Sequence, residues 1–242
     1  MIAVVLKTIL LTTETSHHLY FLWKLGDLCP LDALFLETHS LQASFETAHP
    51  FEEARAHYEK DIVLKDAPKS IMDSLPVYQY DSLNDGDCVE QLKALGPDII
   101  IIFGTGKVCP EIISIPRKAC LNLHGGAPEF YRGLDTHLWA IYHNDFQNLI
   151  TTLHFVEPEL DTGKIVFEEQ LPITQDTSIE KLRTVNTEAC VNMSALAING
   201  LSQNGYLPSR EQLQTGRYYS FMPKDLKEVC VRKYKRYLKR LR

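Results

Sequence analysis

Between Asp98 and the loop Gly104-Thr105-Gly106 the chain places four isoleucines and a phenylalanine, Ile99 to Phe103, in unbroken succession. The run is too short for a membrane span and shows no polar alternation, so it is expected to be a central strand buried on both faces. Such a strand needs helices above and below it, which selects a parallel α/β sheet. Ile2 to Leu11 is a second continuous apolar run rich in β-branched residues. Ala33–Leu36 and Val77–Tyr80 read as short strands, and Cys120-Leu121-Asn122-Leu123-His124 as another that runs into Gly125-Gly126. Helices are expected from a cap at Ser16 to about Leu25, over Phe51–Lys60 after the His49-Pro50 break, and over Asp87–Leu95 ahead of the Gly96-Pro97 terminator. The implied fold is doubly wound, and ligands in such sheets sit beyond the carboxyl ends of the strands. Both glycine-rich exits fall there.

From Thr151 the pattern changes. Thr151–Phe155 and Ile165–Glu169 are strand-like and are separated by the turn formers Leu160-Asp161-Thr162-Gly163. A long helix is expected from Ser178 to about Asn199, capped at Thr177 or Ser178. Residues 201–242 contain Gly205, Pro208, Gly216 and Pro223 and read as a small irregular appendage to a main domain of residues 1–200. The last eleven residues hold seven of the 25 Lys and Arg and no acid, in a chain of net charge −6. That tail either grips phosphates or an anionic surface, or is a solvated terminal helix. The acidic balance of the whole argues against nucleic acid as a partner. Six scattered cysteines without a CxxC pair suit reduced thiols in a cytoplasm. The apolar start carries Lys7 but no basic leader or small-residue cleavage site, and no run approaches the ~20 apolar residues of a membrane span. A cytoplasmic protein without a membrane partner is expected.

Several familiar signatures fail. Gly104-Thr105-Gly106 begins like a dinucleotide fingerprint, but Cys109 stands at the third glycine position. There is no Walker A loop, GxSxG elbow or HExxH. His124, His137, His143 and His154 show no compact spacing with a partner cysteine or carboxylate, so no metal is expected. The informative stretch is Asn122-Leu123-His124. Strand alternation puts the amide and the imidazole on one face. That pair suits attack by an amine on a carbonyl: the amide N–H steadies the oxygen that gains charge, and the imidazole handles the proton. Asp161, 37 residues later, can orient that histidine, raise its pKa or relay the proton. On these residues alone, a satisfied structural histidine is the competing reading.

Asn122-Leu123-His124-Gly125-Gly126-Ala127-Pro128, Tyr131-Arg132-Gly133 and Leu160-Asp161-Thr162-Gly163-Lys164-Ile165 together resemble the core of the folate-dependent formyltransferases. The resemblance implies a Rossmann-like fold and catalytic roles for Asn122, His124 and Asp161, none of which departs from the family pattern. It implies 10-formyltetrahydrofolate as formyl donor, with Ile102, Phe103, Gly104, Thr105 and Gly106 along the reduced folate.

His49-Pro50-Phe51-Glu52, Tyr131 to Trp139, and Tyr218-Tyr219-Ser220-Phe221-Met222-Pro223 resemble bacterial nucleotide-sugar N-formyltransferases in particular. These implied contacts to a nucleotide-diphosphate amino sugar, a dTDP sugar for surface polysaccharide (O-antigen), fall on Gly125, Gly126, Tyr131, Arg132, Asp135, His137, Tyr218 and Tyr219. Arg132 either forks onto the diphosphate or is a surface arginine. Asp135 and His137 either approach the amine, or Asp135 or Thr136 caps the helix Thr136–Tyr142. Trp139 and Tyr142 are expected in the core. Tyr218, Tyr219 and Phe221 either stack on a base or anchor the appendage. The resemblance also makes a homodimer through that appendage plausible. Only about 40 residues follow the long helix, too few for the barrel that holds tRNA in the methionyl-tRNA enzymes. Residues 10–18 lack the glycines expected for glycinamide ribonucleotide.

Overall fold

Among the described residues, seven strands form one sheet in the order β3-β2-β1-β4-β5-β7-β8. The computed structural model describes residues 5–68, 72 and 75–241. In chain order the elements are β1 (Thr8–Thr12), α1 (Ser16–Leu28), β2 (Ala33–Glu37), α2 (Pro50–Tyr58), β3 (Val77–Tyr80), α3 (Gly86–Leu95), β4 (Ile99–Phe103), α4 (Pro110–Ser114), β5 (Ala119–His124), β6 (Tyr131–Gly133), α5 (Thr136–Tyr142), β7 (Ile150–Phe155), β8 (Ile165–Gln170), α6 (Leu182–Asn204), β9 (Arg217–Tyr219) and α7 (Lys224–Leu238). The strands β3, β2, β1, β4 and β5 run parallel, and β7 and β8 continue the sheet antiparallel. The expected Rossmann-like α/β architecture is the one observed.

The isoleucine run explains why the sheet is covered on both sides. Ile99, Ile101 and Phe103 point into a core with Leu10 of β1, Phe21 and Leu25 of α1, and Cys190 and Ile198 of α6. Ile100 and Ile102 point the other way, into a core with Ile9, Leu11, Leu92 of α3 and Ile112 of α4. Every β4 side chain is therefore buried. The strand ends where Gly104 takes φ 79, a left-handed value that favours glycine.

Within the described residues the first strand is Thr8–Thr12, so residues 5–7 of the expected run are not part of it. Its Ile2–Val4 portion lies outside the described residues, and Val5 is 88% exposed. Pairing starts only at Thr8, opposite Ile99, because β4 itself starts after the Gly96 turn. Ser16 is the first residue of α1 rather than its cap; Thr15 holds the cap position and spends its hydroxyl on the His17 and His18 rings. The helix expected over Phe51–Lys60 is α2 followed by a π-helical turn, Glu59–Val63. His49 caps it: its ring accepts from the Phe51 N–H, and the Glu52 carboxylate accepts from the His49 N–H. The long helix is preceded by a 3-10 turn, Ile179–Lys181, and reaches Asn204 before Gly205 closes it at φ 78.

Beyond α6, residues 205–216 are irregular, β9 pairs with β6, and α7 packs on α5. The basic tail is largely this helix. It buries Cys230, Tyr234 and Leu238 in a third core with Leu138 and Ile141, leaving Arg232, Lys235, Arg236, Lys239 and Arg240 exposed. Arg242 lies outside the described residues. Among the described residues no helix is long and apolar enough to cross a membrane.

Central burial predicts a sharp asymmetry in stability. Ile101→Ala is expected to cost about 2–5 kcal/mol in urea unfolding, whereas Leu213→Ala, at an 89% exposed position, should change it by less than about 0.5 kcal/mol. Equal effects would contradict the central placement of β4.

Candidate active site

The carboxyl end of β5 brings Asn122 and His124 onto the wall of one cavity of about 450 Å³. The antiparallel neighbour β7 sets His154 opposite Asn122. His154 Nδ1 lies 2.7 Å from the Phe155 carbonyl oxygen, which can only accept, so Nδ1 carries the proton in the neutral ring. His154 Nε2 is then an acceptor, and Asn122 Nδ2 donates to it at 3.1 Å. This contact decides which end of the Asn122 amide is nitrogen and leaves that nitrogen a second N–H.

His124 is 5% exposed. Its Nε2–H donates to the Tyr131 carbonyl at 2.8 Å, so the neutral ring keeps Nδ1 as a proton acceptor. Asp161 Oδ1 stands 3.5 Å from that Nδ1 and 3.6 Å from His154 Nε2. Its Oδ2 accepts from the Gly133 N–H at 2.8 Å. Burial pushes the Asp161 carboxyl up, but the His124 and His154 imidazoles and the Gly133 N–H outweigh it and hold the group well below the usual carboxylate range. The negative charge is thus fixed beside the nitrogen that can take a proton.

The turn that carries Asp161 is built for this. Asp161 sits at φ 56, a left-handed conformation that aspartate adopts more readily than most residues. Gln212 ties it down, donating to the carbonyls of Asp161 and Gly163 at 2.9 Å each. A Cβ at Gly163 would run into the Phe155 carbonyl, so only glycine passes there.

Ile102, Phe103, Gly104, Thr105 and Gly106 all line the same cavity. A second cavity of about 470 Å³ adjoins it across Gly104–Gly106, lined by Thr13, Thr15, Glu37 and His39. Glu37 Oε2 accepts from the Gly106 N–H at 2.6 Å and fixes that loop. His17 and His18 line the main cavity from α1; burial pushes His18 down to about 3 and His17 well below its ordinary value, so both rings are neutral. A Cβ on Gly104 would run into His18 Nε2.

Of the other residues expected to contact substrate, Gly125 and Tyr218 line the main cavity. Gly126 packs behind it, where a Cβ would lie 2.9 Å from both His124 Nε2 and Thr136 Oγ1. Tyr131 contributes its carbonyl to His124 and donates its hydroxyl to Asp145. Arg132 is not among the residues lining the cavity; its Nε donates to Gly216 O and its Nη1 to Glu159 and Leu160 O. Tyr219 stacks on Trp139 and Tyr131 and anchors the appendage, as does the Trp139 indole N–H on Ser220 O. Neither Asp135 nor Thr136 caps α5. Asp135 holds the cap position at φ 51, but its carboxylate accepts from the Met222 N–H, and the Thr136 hydroxyl donates to Gly125 O. Asp135 and His137 line a separate recess. The functional neighbours missed from sequence are His154 and Glu37. His154 stands two positions from Thr152 on a strand-like run, but only the β5–β7 register reveals what it faces.

Asp161→Asn keeps an acceptor for the Gly133 N–H and loses the charge. The folded carboxyl is held below its unfolded value of about 3.9, so its contribution to stability is present above that value and is lost as the pH falls through it toward the folded one. The stability gap between the native chain and Asp161→Asn should therefore be widest near neutrality and close toward about pH 2. Urea titrations across that range check it; a constant gap would show that the charge does not matter to folding.

Residues 43–195 match a family model described as Formyl transferase. The methionyl-tRNA formyltransferase of Clostridium beijerinckii is 28% identical over 157 residues, 64% of this chain and 50% of that protein. The chain thus spans about half the length of the curated relatives it matches. A 4-N formyltransferase from Francisella tularensis superposes with a TM-score of 0.59 at 15% identity, covering 90% of this chain and 77% of that one. The formyltransferase PseJ from Anoxybacillus kamchatkensis, in complex with UDP-4,6-dideoxy-4-formamido-L-AltNAc and tetrahydrofolate, superposes with a TM-score of 0.50 at 18% identity, covering 92% and 88%. At those identities the two structures establish a shared fold. The matched span runs from the loop before α2 into α6 and takes in Asn122, His124, His154 and Asp161, and on that match the chain belongs to the formyl transferase family.

Proposed function

We propose that the chain transfers a formyl group from 10-formyltetrahydrofolate to the amine of a nucleotide-linked amino sugar, with Asn122, His124 and Asp161 as its catalytic residues. The observation that carries the reading is their convergence, with His154, on the wall of the 450 Å³ cavity. The main-chain wall at Ile102–Gly106, with Val156 nearby, fits a flat polar ring. The reduced folate, when bound, supplies the formyl carbon. Asn122 offers its second N–H to the oxygen that gains charge as the amine adds. His124 takes the amine's proton at Nδ1 while Nε2 stays bonded to Tyr131 O, and the Asp161 carboxylate steadies the imidazolium. His124 would then give that proton to the folate nitrogen as its bond to the formyl carbon breaks, so that tetrahydrofolate leaves and the ring returns to its neutral form.

The acceptor class rests on three sequence stretches that pack as one unit. Phe51, Leu138 and Met222, one from each, share a core, Leu134 N donates to Tyr219 O, and Asp135 accepts from Met222 N. Phe221, Leu134 and Tyr218 from this unit line the cavity. PseJ, which shares the fold, was solved with a formamido sugar nucleotide and tetrahydrofolate. In this reading the product serves surface polysaccharide such as O-antigen, the enzyme works in the cytoplasm, and a dTDP sugar is the first candidate. The curated relatives favour a second reading, methionyl-tRNA as acceptor; its signature is salt-dependent tRNA binding.

Tetrahydrofolate release with dTDP-, UDP- and GDP-linked amino sugars tests the proposal, with mass spectrometry for the added formyl group. One sugar should be formylated, and Asn122→Ala, while still folded, should lower turnover by about a hundredfold or more. Normal turnover in that variant would remove Asn122 from the chemistry. Formylation of methionyl-tRNA with every sugar inert would overturn the acceptor class.

A further inference from the structure

Behind Gly125 lies a recess of about 120 Å³ whose walls include Phe51, Arg55, Asp135, His137, Arg183 and Asn186. It touches the main cavity closely. Gly125 lines the main cavity, and a Cβ there would lie 3.3 Å from His137 Cε1 and 3.4 Å from Asn186 Oδ1. Leu134 lines one space and Asp135 the other. None of the catalytic groups is in the recess.

Its polar groups are of mixed kind. Arg55 Nε is buried and has no acceptor among the described residues, although Nη2 pairs with Glu52 at 3.2 Å. A buried donor on a charged group is costly to leave unmet, so it marks a place where an acceptor belongs. Arg183 is already committed, forking onto the buried Glu59 at 2.6 and 2.5 Å. His137 donates Nε2–H to the Ile150 carbonyl at 2.7 Å, which leaves Nδ1 of the neutral ring as an acceptor. Burial pushes His137 down to about 4, so the ring is neutral at physiological pH. Asp135 gives one carboxylate oxygen to the Met222 N–H and is a second acceptor. An anion would answer Arg55 but would face Asp135 and the His137 lone pair. A methyl group would leave Arg55 unmet. A hydroxyl both accepts and donates, and Phe51 supplies an apolar surface for the adjoining C–H groups.

We propose that this recess is a subsite for a ring hydroxyl of the acceptor sugar, which accepts from Arg55 Nε and donates to Asp135 or His137. The inference rests on the sugar reading of the acceptor given above and makes the recess a specificity determinant rather than part of the chemistry.

Two measurements test it. In ¹H–¹⁵N spectra of the full chain, the Arg55 Nε–H signal is assigned by its loss in Arg55→Lys and followed during titration with dTDP-glucose, dTDP and inorganic phosphate. It should move with dTDP-glucose and stay put with the other two. An equal response to phosphate or dTDP would make the recess an anion site, and no response at saturating dTDP-glucose would also overturn the proposal. The second measurement uses Asp135→Asn, which retains an acceptor for Met222 N and suits the left-handed backbone at that position. It should raise the KM for whichever sugar is formylated by about tenfold, more than it changes kcat, with the folate KM unmoved. If the native chain formylates a sugar and Asp135→Asn leaves that KM unchanged, the subsite fails and the proposed function stands. If no sugar is formylated but Arg55 still answers dTDP-glucose alone, the proposed function fails, and the recess holds a sugar hydroxyl without being a determinant of the acceptor.

Discussion

One buried carboxylate ties four separate stretches of chain together. Asp161 reaches β5 through His124, β7 through His154 and β6 through the Gly133 N–H, from a turn clamped by Gln212. A charge in so dry a place needs its neighbours: the Gly133 N–H donates to one oxygen, and the His124 and His154 rings stand within 3.6 Å of the other. The turn's glycine, the left-handed backbone at Asp161 and the close fit of Gly163 on Phe155 all follow from the need to deliver that carboxylate there. Without it, β5 would still end in a histidine, but nothing would favour a proton on the side facing the cavity.

A second constraint is the covering of the sheet. Because β4 is buried on both faces, its carboxyl end can only open into loops, and Gly104–Gly106 is where two cavities meet. Glu37, from β2 two strands away across β1, holds that loop by a backbone N–H rather than by a side chain. The wall is therefore main chain fixed by a carboxylate, which offers directed hydrogen-bonding groups with little entropy left to lose on binding.

The sheet was legible because its signals are local. Ile99–Phe103 needs no partner to declare itself a buried strand, and Val77–Tyr80 lies where β-propensity alone puts it. Asn122 and His124 were legible for the same reason, since strand alternation puts them on one face. What escaped is whatever depends on register or distant packing. His154 faces Asn122 only because β7 pairs antiparallel with β5 in one register. Arg132 reads equally as a phosphate ligand or a surface arginine until its Nε and Nη1 are found on Glu159 and two carbonyls. Asp135 reads as a helix cap until Met222, 87 residues away, is found at its carboxylate. The aromatic pair divides in the same way, Tyr218 toward the cavity and Tyr219 into the stack with Trp139.

The contact between Asn122 and His154 has one more consequence. The amide shows its nitrogen to His154 only because that ring, with its proton on Nδ1, can do nothing but accept. The orientation of the amide is thus set from outside Asn122, by the Phe155 carbonyl acting through the His154 ring. A side chain at position 154 that could not accept would free the amide to turn end for end, although neither His124 nor Asp161 had been touched.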